Sequence, residues 1–186
     1  MDTEHAAPAD LDALRAAFGI DDGGASALGR TAVHAFETEH GVVLPEPYRT
    51  FVAEISDGSY SGPPGFGLVA LAELPDDWGD DRPERRLDLP FPLTEAWLWE
   101  DDPRAPEEVE ALLDPVFDHG SIVLGTDGCG MYWHLVVTGP HRGHVWNICG
   151  EGAWPFGEEF GSTTGTAGFA GWVEHWAAGK PWCDAP

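Results

Sequence analysis

From Gly120 to Ile148 the chain reads GSIVLGTDGCGMYWHLVVTGPHRGHVWNI. Ser121 to Gly125 is a short apolar strand, TDGCG a turn, Met131 to Thr138 a second strand, GPHRG a hairpin loop and His144 to Ile148 its partner. Strands joined by connections this short pair antiparallel, because a parallel neighbour needs a long crossover. Pairing Gly139 with Gly143 puts Met131, Trp133, Leu135 and Val137 on one face with Val145 and Cys149, an apolar surface suited to a core. The other face carries Tyr132, His134, Thr138, His144 and Trp146, with Val136 and Ile148 among them. Tyr and Trp beside polar groups are typical of recognition surfaces, so Tyr132, His134, His144 and Trp146 are the candidates for meeting a partner. The alternative is that helices cover this face too and its aromatics are core.

Upstream the periodicity is helical. Asp10 precedes Leu11, Leu14 and Phe18, with Gly19 as the stop, and DDGGASALG (21–29) reads as a loop. A helix over Arg30 to His40 turns Val33 and Phe36 inward and ends at Gly41. In GVVLPEPYRTFVAEISDGSY (41–60), Pro45 and Pro47 suit a first helical turn, Tyr48, Phe51, Val52 and Ile55 share one stripe, and Asp57-Gly58 closes it. Gly65 to Leu74 reads as a strand, 75–92 as a loop dense in proline and charge, and 93–100 as strand or helix. Pro106, Glu107 and Glu108 open a helix with Val109, Leu112 and Leu113 on its apolar face, ending near Asp114-Pro115. Downstream of the hairpin, EGAWPFGEEFGSTTGTAG (151–168) reads as a glycine-rich loop. Phe169, Trp172, Val173 and Trp176 then form a last helical stripe, stopped by Gly179 and Pro181. Helices, a meander of strands and a closing helix predict an α+β fold: an antiparallel sheet packed with helices from the N-terminal part and a C-terminal helix.

A chain of 186 residues is expected to form one domain with loop insertions, and nine tryptophans and nine phenylalanines supply a core that a disordered acidic tail would lack. The formal net charge is -24, and Lys180 is the sole lysine. Phosphate contacts need clustered Arg and Lys, so nucleic acid is excluded as a partner, and anionic membrane surfaces repel such a chain. The field of Asp76-Asp77, Asp80-Asp81 and Glu100-Asp101-Asp102 favours a basic protein partner, while acids spread over the whole chain also serve solubility. The N-terminus lacks a basic stretch followed by an apolar one, which predicts a cytoplasmic protein. Cys129, Cys149 and Cys183 form no framework of spacings and are expected as free thiols.

Cys129, His141, His144 and Cys149 have zinc-ligand atoms, yet His141 lies in the hairpin loop and Cys129 at the far end of its strand. About twelve extended residues separate them, up to roughly 40 Å, so no metal is expected. Cys149 faces Trp133 in the assumed register, leaving the two hairpin cysteines roughly 13 Å apart and unbridgeable. Cys129 with Asp127 and His134 is a weak nucleophile pattern, because a histidine five residues along a strand need not turn to the thiol. Glu107-Glu108 and Glu158-Glu159 are unremarkable in so acidic a chain, and neither G-x-S-x-G nor a phosphate loop occurs. No cofactor and no catalysis are expected.

Two motifs in this order resemble the SUKH superfamily, first named for a fungal cell-wall-assembly regulator and widespread among bacterial immunity proteins. In EHGVVLPEPYRTFVAEISDG, Gly41 ends a helix, Leu44-Pro45 starts the next, Tyr48-Arg49 is the aromatic-plus-basic pair, and Asp57-Gly58 stands where Asn-Gly is usual. In GSIVLGTDGCGMYWHLVV, Gly128 and Gly130 belong to a glycine-rich turn between strands. The resemblance spans residues 30–178, with 75–115 as an insertion. It implies a binding fold without catalysis, often used to neutralise a polymorphic toxin. A regulatory scaffold for a house-keeping partner and a cysteine enzyme are the other readings.

Overall fold

The computed structural model describes residues 5–18, 25–79, 84–160 and 163–182. Gly19, the start of the first loop, Asp80-Asp81 and Cys183 lie outside the described residues. The elements run α1 (Pro8–Ala17), α2 (Arg30–His40), α3 (Tyr48–Glu54), β1 (Trp97–Leu98), α4 (Pro106–Asp118), β2 (Ser121–Gly128), β3 (Met131–Val136), β4 (Val145–Ile148), β5 (Gly152–Pro155) and α5 (Phe169–Ala177). The sheet order is β1-β5-β4-β3-β2, antiparallel throughout, so the fold is α+β as expected.

One face of the sheet is covered by α1, α3 and α5. Leu14, Phe18, Tyr48, Phe51, Phe169 and Trp172 pack there on Trp133, Leu135 and Val145. Aromatic rings carry much of the contact: Tyr48 meets Phe169 edge-on at 4.9 Å, and Phe51 lies 5.1 Å from the same ring. The second face is covered as well. Phe91, Trp99 and Val116 pack on Val136, Trp146 and Ile148, and Trp78 packs on Val123 and Tyr132. Trp78 and residues 84–118 thus supply a second layer, and burial on both sides explains why β2 reads as a continuous apolar run instead of alternating.

The LP segment is braced by α2. Gly41 closes α2 with φ 67°, a left-handed conformation that favours glycine, and its N–H donates to the Glu37 carbonyl. Leu44 and Tyr48 are buried, and Arg49 pairs with the buried Glu37 carboxylate. Asp57 Oδ1 accepts the Leu71 N–H at 2.9 Å. Gly58 has φ 99°, and a Cβ there would lie 2.9 Å from the Leu68 carbonyl oxygen. Both motif turns are therefore places where the backbone itself demands the residue.

Four expectations need correction, and one left open is resolved. Gly65–Leu74 forms no strand; Leu68 makes an isolated bridge to Ser59, and the segment lies along β2 through Phe66 N–H to Thr126 O (3.3 Å) and Val69 N–H to Leu124 O (2.9 Å). α4 runs through Pro115 to Asp118, because Val116 is fully buried and holds the helix on the sheet. The stretch 93–100, open between strand and helix, resolves as the two-residue strand β1, paired with β5. β5 itself lies inside the stretch read as a glycine-rich loop. Finally, β3 and β4 pair Trp133 with Asn147 and Leu135 with Val145, two residues from the expected register, since the turn spans more of the chain than Gly139–Gly143. A shift of two preserves which residues share a face.

Candidate protein-binding surface

The sequence-derived candidates separate. Tyr132 is buried with its hydroxyl donating to the Asp77 carbonyl at 2.6 Å, and His134 and Trp146 are wholly buried. His134 Nδ1 and Ser121 Oγ are hydrogen-bonded at 3.0 Å, and Trp146 packs on Phe91. These three are core and present nothing to a partner: Trp78, Phe91, Trp99 and helix α4 cover their face. His144 stays at the surface, half-buried against Phe160 and 3.8 Å from Glu159. Burial holds its imidazole below the ordinary histidine range; Glu159 opposes the shift and His141 adds to it. Asp102 is taken up locally, accepting hydrogen bonds from the Arg104 guanidinium and backbone N–H and from the Trp97 indole at 2.8 Å, which hold its carboxyl well below the usual range. Glu100 and Asp101 remain exposed.

The strand order brings several turns to one end of the sheet. β2 ends at Gly128 and β3 begins at Met131; β4 ends at Ile148 and β5 begins at Gly152. β1 runs antiparallel to β5, so Glu100 and Asp101, just beyond it, arrive at the same end; the N–H groups of Trp99 and Glu100 both donate to the Glu151 carbonyl. The β2–β3 turn has positive φ at Cys129 (54°) and Gly130 (75°), the pattern of a two-residue hairpin whose twist matches the strands. Cys129 is an exposed turn residue. Both hairpin cysteines are free thiols, and among the described residues no group of His, Cys, Asp or Glu could hold a metal ion.

Exposed apolar side chains gather at this end: Tyr60 (92% exposed), Phe66 (74%), Leu74 and Met131. Phe66 lies over the hairpin tip, where a Cβ on Gly128 would stand 2.9 Å from its ring. Two hollows flank the tip. The outer one, about 500 Å³, is lined by Phe66 and Leu74 and by the carboxylates of Glu73, Asp76 and Asp77. The inner one, about 480 Å³, lies on the helix-covered face beyond the last helix, between Trp133, Trp154, Phe156 and Trp182. Phe66 and Trp154 do not stand out in the sequence, because Phe66 lies in a segment that reads as a strand and is none, and Trp154 in one that reads as a loop and is strand β5. Trp182 followed the expected helix stop, yet its ring lies 4.8 Å from Trp133 and stacks on Trp172 at 5.8 Å. The common signal was an aromatic beside glycine or proline in a stretch with no periodicity.

No helix among the described residues is long and apolar enough to cross a membrane. A model of the SMI1 / KNR4 family (SUKH-1) matches residues 30–168. No curated protein and no solved structure matches the chain. The match takes in both motifs, the whole five-stranded sheet and the buried Glu37–Arg49 brace, and on that extent the chain belongs to the SMI1 / KNR4 (SUKH-1) family.

Proposed function

We propose that the chain is a single-domain, non-enzymatic protein-binding module of the immunity type, acting in the cytoplasm by occluding a cationic toxin. The observation that carries this reading is the sheet end, where exposed Phe66, Leu74 and Met131 are flanked by Glu73, Asp76, Asp77, Glu100, Asp101 and Glu151. Apolar anchors supply binding energy once desolvated, and a surrounding negative field speeds and orients encounter with a basic surface. The overall charge of -24 acts in the same direction. Family membership supports the binding role, and His134, the base a Cys129 nucleophile would need, is wholly buried and bonded to Ser121 while Cys129 stands exposed in its turn.

The test is co-expression with the product of the adjacent gene, followed by binding kinetics. Association should slow by roughly tenfold between low and high salt, with dissociation little changed. Phe66→Ser should weaken the complex while the melt stays native, because this ring is largely in solvent. A house-keeping protein co-purifying in place of a toxin would favour the scaffold role. An on-rate indifferent to salt would return the charge to solubility alone.

A further inference from the structure

Across the sheet, Trp133, Asn147 and Trp154 occupy one row, since Asn147 pairs with Trp133 on one side and Trp154 on the other. This row floors the inner hollow. Trp133 is committed: its indole N–H donates to Asp127 Oδ2 at 2.7 Å, and its ring packs against Trp172 and Trp182. Trp154 is not. Its indole lies along Gly152, where a Cβ would come within 2.9 Å, and among the described residues it has neither ring partner nor hydrogen bond. The Asn147 amide beside it is likewise without a hydrogen-bond partner among the described residues. Glu151 stands exposed at the rim, with Glu100 and Asp101 held next to it by the backbone, while among the described residues no lysine or arginine lines the hollow.

We infer that this hollow receives an arginine side chain of the partner, its guanidinium stacked on Trp154 and its N–H groups shared between the Asn147 amide oxygen and the Glu151 carboxylate. The inference rests on the reading that the partner is a cationic protein, and it names the point of contact. A guanidinium suits the site on three counts. It is planar and weakly hydrated, so it stacks on an indole face; it is a pure donor, matching an amide oxygen and a carboxylate; and it brings positive charge to a rim with none. An aliphatic side chain would fill the volume and leave Asn147 unanswered.

The experiment uses the full chain with isotope-labelled tryptophan, and the tripeptides acetyl-Gly-Arg-Gly-amide and acetyl-Gly-citrulline-Gly-amide as probes. Citrulline keeps the shape of arginine without its charge. The arginine peptide should shift the Trp154 and Trp182 indole signals saturably at millimolar concentration, and citrulline should bind about fivefold or more weakly. Trp154→Ala should abolish the shifts with an unchanged melt. Should that variant melt early, Glu151→Lys on the exposed rim should abolish them without disturbing the packing. Equal shifts with both peptides, or none with either, would overturn the inference. Shifts at Trp78, beside the outer hollow, in place of Trp154 would overturn it too, while leaving the cationic-partner reading intact. Salt-independent association with the whole partner would reject that reading even if the peptide bound.

Discussion

The Arg49 guanidinium grips the Glu37 carboxylate with both arms, Nε to Oε1 at 2.7 Å and Nη2 to Oε2 at 2.8 Å, while Oε1 also accepts the Leu44 N–H at 3.0 Å. Glu37 is 4% exposed and Arg49 37%, so the acid is the member that cannot fall back on water. Glu37→Ala leaves a buried backbone donor and a partly buried cation without their acceptor, and should cost about 2–4 kcal/mol in denaturant unfolding. Arg49→Lys keeps the charge and loses the planar fork, for about 1 kcal/mol. A double-mutant cycle that gave no coupling between the two positions would show the brace to be incidental.

Cys129 holds φ at 54° in a turn otherwise made of glycine. Asparagine tolerates that conformation far better than most residues, so Cys129→Asn should stabilise the fold by about 0.5–1 kcal/mol, a rise of a few degrees in melting temperature. The same variant removes the thiol, and binding should be unaffected. A loss of any activity with the fold intact would revive the cysteine as a functional group.

Tyr132 and Trp146 are core, not surface. Truncating the fully buried indole of Trp146 to alanine should cost about 3–5 kcal/mol, and Tyr132→Ala, which also strands the Asp77 carbonyl, should fall in the same range. Thermal melts decide: a native-like melt for either variant would place that residue at the surface.

His144 makes the fold sensitive to mild acid. Burial lowers its folded value below the ordinary one, so on acidification the unfolded chain takes up the proton first. Its contribution to stability is complete above about pH 6.5 and is lost as pH falls from there towards the folded value. His144→Gln should flatten the melting temperature against pH across this window. Glu159→Gln removes the attraction that favours the protonated ring and should steepen it; a flatter curve for that variant would reverse the assignment.

Much of the scaffold was legible because local chemistry and fold agree in it. Gly41 and Gly58 mark turns their φ values require, and α2 begins and ends where its glycines say. The faces of the β3–β4 hairpin were legible even with the pairing two residues out, since period two survives an even slip. Which face met solvent was not legible, because the cover for Tyr132 and Trp146 comes from Trp78, Phe91 and Trp99, in stretches whose proline and charge give no periodicity, and from Val116 and Phe117, past the expected end of α4. β5 escaped for a similar reason: GAWP pairs on both sides, yet its glycine and proline argue locally against a strand. Of the candidate surface, the acids Glu100 and Asp101 could be named, but Phe66, Trp154 and Trp182 reach it only through tertiary placement.

The backbone bonds from Phe66 and Val69 to Thr126 and Leu124 occupy the outer margin of β2, and the opposite margin is β1, two residues long. A peptide offered as an additional strand therefore finds little main chain left to pair with, and two copies cannot zip their sheets together along these margins. Whatever docks on this molecule must read side chains. An immunity protein built this way would owe its choice of toxin to a few substitutable groups around the hairpin tip, and specificity could drift there from one relative to the next without any change in the sheet beneath.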